Sequence, residues 1–143
     1  MTKEKYKQLV ESTRRNQKLY PSPIPAVIGL IHKGTKVLVV KNDKKLKHWQ
    51  LVAGFINPGE SAEQAMVREV KEETNLVVKP RKILGTFPYQ KGSMQLIIAI
   101  DLIYISGLLT AQDDIIEAKW VEKKERVRLK KGSLSEFLFK KYK

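Results

Sequence analysis

The 143-residue chain is the size of one compact domain, and its 42% hydrophobic content is normal for a globular protein. It has no cysteine and two histidines, which excludes disulfides and thiolate zinc sites, so any bound metal is expected to have oxygen ligands. The formal net charge of +13 is concentrated in residues 1–18 and 119–143. These basic ends would steer a polyphosphate or nucleic acid, or simply keep the protein in solution.

The amino-terminal residues predict a helix and an extended connector before the main domain. Side chains within residues 3–15 form a narrow apolar stripe at helical spacing, namely Tyr6, Leu9, Val10 and Thr13. Three prolines in residues 20–25 then exclude a helix. We therefore expect a helix and connector over residues 1–19 and one domain over residues 20–143.

No segment has the sequence of a membrane anchor. Residues 1–15 lack the apolar run of a signal peptide, and the longest apolar run, residues 96–100, ends at Asp101. The expectation is a cytoplasmic protein without a membrane partner.

The remaining chain predicts strands around a central helix. Residues 26–32 and 36–41 indicate a hairpin that turns at Gly34. Further strands are predicted near residues 49–53, 76–87, 94–105 and 117–122, and a final helix near residues 133–142. This order indicates an α/β (α+β) domain with a mixed sheet covered on both faces.

The central helix is predicted to begin after Ser61 and to end at Asn75. Ser61 is a favourable N-cap, and Gln64, three residues later, completes a capping-box pattern. Asn75 tolerates the left-handed conformation common just past a helix end.

Three glutamates share one side of this helix. Glu69, Glu72 and Glu73 stand at i, i+3 and i+4, within an arc of about 100°. Their charges repel one another and oppose the helix dipole, and Arg68 is not expected to neutralise the set. A divalent cation would compensate, because Mg²⁺ binds carboxylate oxygens. The alternative is a solvated acidic face without a metal.

Residues 54–76 resemble the Nudix box, GX5EX7REUXEEXGU, in which U is aliphatic. The matching positions are Gly54, Glu60, Arg68, Glu69, Val70, Glu72, Glu73 and Leu76. A chance match of this extent has a frequency on the order of 10⁻⁶. The single departure is Asn75, which stands where the family has glycine. Asn is the next-best residue after glycine at a left-handed helix end.

The resemblance implies a Nudix-type α/β/α sandwich and a hydrolase that cleaves a diphosphate linkage with Mg²⁺ or Mn²⁺ and without zinc. In this sequence it implies that Glu69 and Glu73 are principal metal ligands. It makes Glu72 a further ligand or the catalytic base. It makes Glu60 and Arg68 an ion pair that holds the preceding loop against the helix.

Residues 20–120 also resemble the catalytic half of NADH pyrophosphatases, without their four-cysteine zinc ribbon. A downstream motif of that family is echoed by Phe87, Pro88 and Tyr89. The two aromatic rings would stack on a base or a nicotinamide ring, or else cap a strand end against the core.

Two regions outside the helix complete the expected site. In the resemblance, Gly54 lets the loop backbone turn tightly beside the metals and the substrate. A further acidic metal ligand of the family falls on Asp114, with Asp113 as a competitor. Glu117 is the fallback for this role and a candidate contact to the substrate.

Three functions remain open from the sequence. The favoured one is hydrolysis of NAD(H), ADP-ribose or a similar ADP-linked compound. The second is the same reaction on a nucleotide-capped RNA 5′ end, which the basic ends would favour. The third is a nucleotide-sensing module without activity, although every charged position of the box is intact. A homodimer formed through the amino-terminal helix is a further hypothesis.

Overall fold

The computed structural model describes residues 2–5, 7–8, 11–12, 22–43, 45, 47–89 and 94–143. Residues 3–5, 7–8 and 11–12 are helical, as predicted for those positions. The residues predicted to form the apolar stripe, Tyr6, Leu9, Val10 and Thr13, lie outside the described residues. Residues 13–21, which include the beginning of the predicted connector, lie outside them as well.

Over the described residues from 22 onward, the structure has six strands and two helices. The strands are β1 (Ile24–Lys33), β2 (Lys36–Lys41), β3 (Val52–Phe55), β4 (Val77–Tyr89), β5 (Gln95–Ser106) and β6 (Glu117–Glu122). The helices are α1 (Ala62–Thr74) and α2 (Leu134–Tyr142). Among the described residues, no helix is long and apolar enough to cross a membrane.

The strands form one mixed sheet in the order β4-β5-β1-β2-β6. Strands β1 and β5 are parallel, whereas β1–β2, β2–β6 and β4–β5 are antiparallel. The short strand β3 pairs antiparallel with β1 from Ala26 to Gly29. It therefore lies beside the first half of β1, and this position brings the loop before α1 onto the sheet.

The sheet is covered on both faces, as predicted for a Nudix-type sandwich. On one face, the α1 side chains Ala65, Met66 and Val70 pack against buried residues of the sheet. On the other face, Leu138 and Phe139 of α2 do the same. Each fully buried Leu, Phe or Met side chain contributes about 1.5–3 kcal/mol to folding. Successive side chains of a strand point to opposite faces of the sheet, so alternate residues of each strand hold the two helices in place.

The boundaries of α1 agree with the sequence analysis. The Ser61 hydroxyl accepts from the Gln64 amide at 3.1 Å, and the Gln64 side chain accepts from the Ser61 amide at 2.9 Å. Both halves of the capping box are present. Asn75 has a φ of 64° and donates its amide to the carbonyl of Lys71, which ends the helix.

Two predicted boundaries were wrong. The third strand begins at Val52 rather than near residue 49, because Gln50 exchanges backbone hydrogen bonds with Val40 and Trp49 donates to the carbonyl of Arg128. Strand β1 begins at Ile24, so the last residues of the predicted connector already belong to the sheet. Pairing with β5 starts there and outweighs the local tendency of prolines to break structure.

Candidate active site

Arg68 joins the loop before α1 to the helix. Its Nε donates to Glu60 Oε2 at 2.7 Å and its Nη2 donates to Glu60 Oε1 at 3.0 Å, which is a two-point ion pair. The Nη2 atom also donates to the carbonyl of Phe55 at 3.0 Å. The hydrogen bonds to Glu60 raise the pKa of Arg68, and the same bonds lower the pKa of Glu60. Arg68 therefore holds the loop against the helix at two points, Phe55 and Glu60.

The same guanidinium also contacts two glutamates of the helix. Its Nη1 atom donates to Glu69 Oε1 at 2.9 Å and to Glu72 Oε2 at 3.2 Å. One cation is shared by three carboxylates, so Arg68 does not neutralise the set, in agreement with the sequence analysis. An excess of negative charge remains at this end of α1.

Gly54 makes room for the Glu69 carboxylate. A Cβ atom at Gly54 would lie 2.3 Å from Glu69 Cδ, which is far inside a contact distance. Only glycine therefore permits the side chain of Glu69 to lie against strand β3. The expectation that Gly54 lets a loop turn tightly was wrong, because Gly54 lies within strand β3 and the close approach of Glu69 is what requires glycine there.

Glu73 is the buried acid of the site, with 8% of its surface exposed. Burial raises its pKa from 4.5 to about 8, and the negative charges of Glu69, Asp113 and Asp114 add to the effect. Four carboxyl groups therefore act on one another, of which Glu73 is buried, Glu69 is half-buried, and Asp113 and Asp114 are exposed. Half of the Glu72 side chain is also exposed.

A loop between β5 and β6 brings the two aspartates to the helix. The Gln112 amide donates to the carbonyl of Glu73 at 2.9 Å, and its side chain donates to the carbonyl of Glu72 at 3.1 Å. The Thr110 amide donates to the carbonyl of Thr74 at 3.0 Å. These bonds satisfy carbonyls that a helix end leaves without partners. Gln112 was not identified from the sequence, because its partners lie about 40 positions away.

The donor set fits a hard divalent cation. Glu73 and the three acidic groups whose charges act on it offer carboxylate oxygen, which Mg²⁺ and Mn²⁺ prefer, and a cation would relieve the repulsion that adds to the effect of burial on the pKa of Glu73. Within the described ranges, no three acidic or histidine side chains already converge at metal-binding distance. The residues that would hold a cation are Glu69, Glu73 and one or both of Asp113 and Asp114.

A large cavity opens beside this cluster and shares Gly54 with it. Its volume is about 1190 Å³, and it lies between strands β1 and β3, the end of β4 and the beginning of α2. Phe87, Pro88 and Tyr89 are among its lining residues, as is Phe137 of α2, and Phe87 also packs against the core, so both roles predicted for these aromatic rings stay open. The rings of Phe87 and Phe137 meet edge to face, with 5.8 Å between centroids.

A family model described as the NUDIX domain matches residues 22–138. The chain belongs to the NUDIX family. The acidic segment is the Nudix box of this family, and the charged positions of the box are those that meet around Arg68 and Glu73.

Curated relatives agree with this assignment. The chain is 37% identical over 114 residues to an ADP-ribose pyrophosphatase of Methanocaldococcus jannaschii, covering 76% of this chain and 67% of that protein. It is 33% identical over 109 residues to the NAD-capped RNA hydrolase NudC of Pseudomonas syringae pv. tomato, covering 73% of this chain and 38% of NudC. The chain therefore spans well under half of NudC.

Solved structures support the fold. A UDP-X diphosphatase matches with a TM-score of 0.70 and 18% identity, covering 91% of this chain and 68% of that one. A NUDIX hydrolase from Nitrosomonas europaea matches with a TM-score of 0.67 and 22% identity, covering 75% of this chain and 61% of that one. The chain is a Nudix hydrolase by family and has the Nudix fold.

Not every position predicted for the Nudix site lies at the acidic cluster. Glu117 begins β6 and pairs in register with Lys41 of β2. It shares a strand face with Val121, which packs toward α2 and away from α1. The charges that act on Glu73 from outside α1 come from Asp113 and Asp114 instead.

The raised pKa of Glu73 predicts a pH-dependent stability of the metal-free Nudix domain. The folded state keeps a proton that the unfolded state loses above its pKa of 4.5, so wild-type stability falls as the pH rises from 4.5 to about 8. Glu73→Gln removes this loss. The free energy of unfolding of the variant should exceed that of the wild type by on the order of 3–5 kcal/mol at about pH 9 and by little near pH 5.

Thermal or urea unfolding in EDTA across this pH range measures the difference. Glu63→Gln, the same chemical change in the first turn of α1, is the control and should give a small difference at every pH. A stability difference for Glu73→Gln that does not grow with pH would contradict the burial of an interacting carboxyl group at this position.

Proposed function

We propose that the protein is a pyrophosphohydrolase dependent on Mg²⁺ or Mn²⁺ that cleaves the diphosphate linkage of an ADP-linked compound, with ADP-ribose and NAD(H) as the first candidates. The observation that carries the proposal is the position of Gly54. Gly54 lines the cavity on one side and accommodates the Glu69 carboxylate on the other. A diphosphate that leads out of the cavity would therefore meet the acidic cluster.

Each residue of the cluster has a role that follows from its surroundings. Glu69 is oriented by Arg68, and Glu73 is held by burial among other carboxyl groups, so both are preorganised to hold a cation. A bound divalent cation supplies Lewis-acid polarisation and neutralises charge on the phosphate oxygens. Arg68 and Glu60 keep the loop in position beside the reacting phosphates.

Glu72 is suited to take the proton of the attacking water. Its Oε2 atom is held by Arg68 at 3.2 Å, while half of the side chain remains exposed. The Oε1 atom is therefore able to accept a proton from water that attacks the phosphate. The water oxygen forms a bond to one phosphorus, the bond from that phosphorus to the bridging oxygen breaks, and the bridging oxygen leaves with the other phosphate.

The cavity supports a nucleoside as the bound part of the substrate. Phe87 and Tyr89 supply aromatic surface, and Phe137 extends it from α2. Stacking of a base on such a wall contributes about 1–3 kcal/mol per base. The ADP-ribose pyrophosphatase among the relatives supports an adenine nucleotide in this place.

Hydrolysis assays with ADP-ribose, NAD⁺, NADH, a UDP-sugar and a nucleoside triphosphate, each with Mg²⁺ and with Mn²⁺, test the proposal. ADP-ribose should yield AMP and ribose 5-phosphate, and EDTA should abolish the reaction. A wild-type protein that hydrolyses none of these compounds with either metal would contradict the proposal and would favour the nucleotide-sensing module.

A nucleotide-capped RNA 5′ end is the second candidate, because NudC, a relative, is an NAD-capped RNA hydrolase and both ends of this chain are basic. Assays on capped RNA and free dinucleotide at increasing salt separate the two. An RNA substrate should lose rate steeply with salt, and the free dinucleotide should not. The homodimer and the division of the chain at residue 19 stay predictions.

A further inference from the structure

The cavity is charged on one side only. Among the described residues that line it, the charged ones are Lys130 and Lys131, in the segment that leads into α2. The remaining polar lining residues are neutral, namely Asn42, Gln50, Gln95, Ser133 and Ser135. No carboxylate of the described chain is among the lining residues, and the carboxylate of Glu136, beside this segment, accepts from the Gly132 amide and pairs with Lys140.

Other lysines nearby are engaged in a different way. The ammonium groups of Lys41 and Lys119 each lie 4.5 Å from the ring centroid of Trp49, and Lys141 lies 5.4 Å from that of Phe137. Lys140 pairs with Glu136 at 3.6 Å. In the part of the chain that the structure describes, Lys130 and Lys131 form no ion pair with a carboxylate.

The cavity also has room beyond one nucleoside. Its volume of about 1190 Å³ exceeds the range of about 300–1,000 Å³ that is usual for a pocket holding one small ligand. The aromatic lining residues come from β4 and from α2, whereas the lysines lie in the segment before α2. The cavity thus offers aromatic surface for a base and positive charge for an anionic group from different segments of the chain.

We propose that Lys130 and Lys131 select substrates that carry a second phosphate ester on the nucleoside, in addition to the diphosphate that is cleaved. This inference rests on the proposed function, because it takes the cavity as the place of the nucleoside. Two exposed lysines in the cavity lining, without an ion pair among the described residues, would attract a phosphate and so discriminate against the same nucleoside with a free hydroxyl. The phosphate is either a 2′-phosphomonoester or a 3′-phosphodiester that continues into an RNA chain.

Kinetics with three substrates measure this selectivity. They are ADP-ribose, ADP-ribose with a 2′-phosphate, and ADP-ribose extended at the 3′ position by a short oligoribonucleotide. The selectivity is the kcat/KM of the preferred phosphorylated substrate divided by the kcat/KM of ADP-ribose. This ratio should be about tenfold lower in Lys130→Gln/Lys131→Gln than in the wild type, which corresponds to about 1.4 kcal/mol. Lys124→Gln/Lys140→Gln, an equal change of charge outside the cavity lining, should leave the ratio as in the wild type.

A binding measurement in EDTA separates this inference from the proposed function. Calorimetric titration with AMP, adenosine 2′,5′-bisphosphate and adenosine 3′,5′-bisphosphate requires no hydrolysis. The wild type should bind one bisphosphate about tenfold more tightly than AMP, and salt at about 300 mM should weaken this preference, because the lysines are exposed. The bisphosphate that is preferred identifies the 2′ or the 3′ source.

The outcomes are distinct. No preference for either bisphosphate, or a preference that the double lysine variant retains, would overturn the inference even if ADP-ribose is hydrolysed. If the wild type hydrolyses no substrate but prefers one bisphosphate, and the double lysine variant loses that preference, the inference is supported and the proposed reaction is overturned.

Discussion

Glu73→Gln is expected to lower kcat for ADP-ribose by about 10³-fold or more, while the protein stays folded. Glu73 is the carboxyl group at the centre of the acidic cluster and is almost entirely buried. The amide keeps the size of the side chain but removes the negative charge that a divalent cation needs. Because repulsion among the carboxylates falls, metal-free stability at neutral pH should rise rather than fall.

The comparison that isolates this effect uses steady-state kinetics at saturating Mg²⁺ together with the Mg²⁺ concentration at half-maximal rate. Glu63→Gln, on the first turn of the same helix, should stay within about twofold of the wild type. If Glu73→Gln retained the wild-type kcat, Glu73 would not be a ligand and the assignment of the metal site would be wrong.

Gly54→Ala is expected to lower kcat/KM by about 10²-fold, because the close approach of Glu69 leaves no room for a methyl group. The added Cβ would lie 2.3 Å from Glu69 Cδ and 2.6 Å from Oε1. The carboxylate is the end of a flexible side chain, so it moves aside and the fold survives. Thermal unfolding should therefore change little while the rate drops.

A double-mutant cycle with Glu69→Ala tests the cause. In that background no carboxylate remains to be displaced, so Gly54→Ala should add little further loss. Full additivity of the two changes would show that Gly54 acts independently of Glu69. A Gly54→Ala variant with wild-type kcat/KM would show that the position of Glu69 against β3 is not needed for the reaction.

Local interactions explain why α1 was predictable. The capping box joins residues three apart, and Asn75 ends the helix through its own backbone conformation. The stacking of Glu69, Glu72 and Glu73 depends only on helix periodicity. The structure has the predicted arrangement in α1, because each of these predictions depended on residues that are close together in the sequence.

Arg68 shows where reasoning from spacing was insufficient. Within the helix its expected neighbour is Glu72, four positions on, and this contact is present. Its strongest interaction is with Glu60, eight positions earlier, which the resemblance to the Nudix family implied. Its bond to the carbonyl of Phe55 depends on how the loop meets β3, and no residue pattern encodes it.

The helix with its row of glutamates and the identity of the family were predictable from residue patterns, because both depend on contiguous residues whose spacing specifies their geometry. Which distant residues join them depends on how the elements pack. Gln112 brings Asp113 and Asp114 to the end of α1, and α2 carries Phe137 and the preceding lysines to the far wall of the cavity. These contacts bridge about 40 to 80 positions, and they form because both helices bury their apolar sides on opposite faces of one sheet.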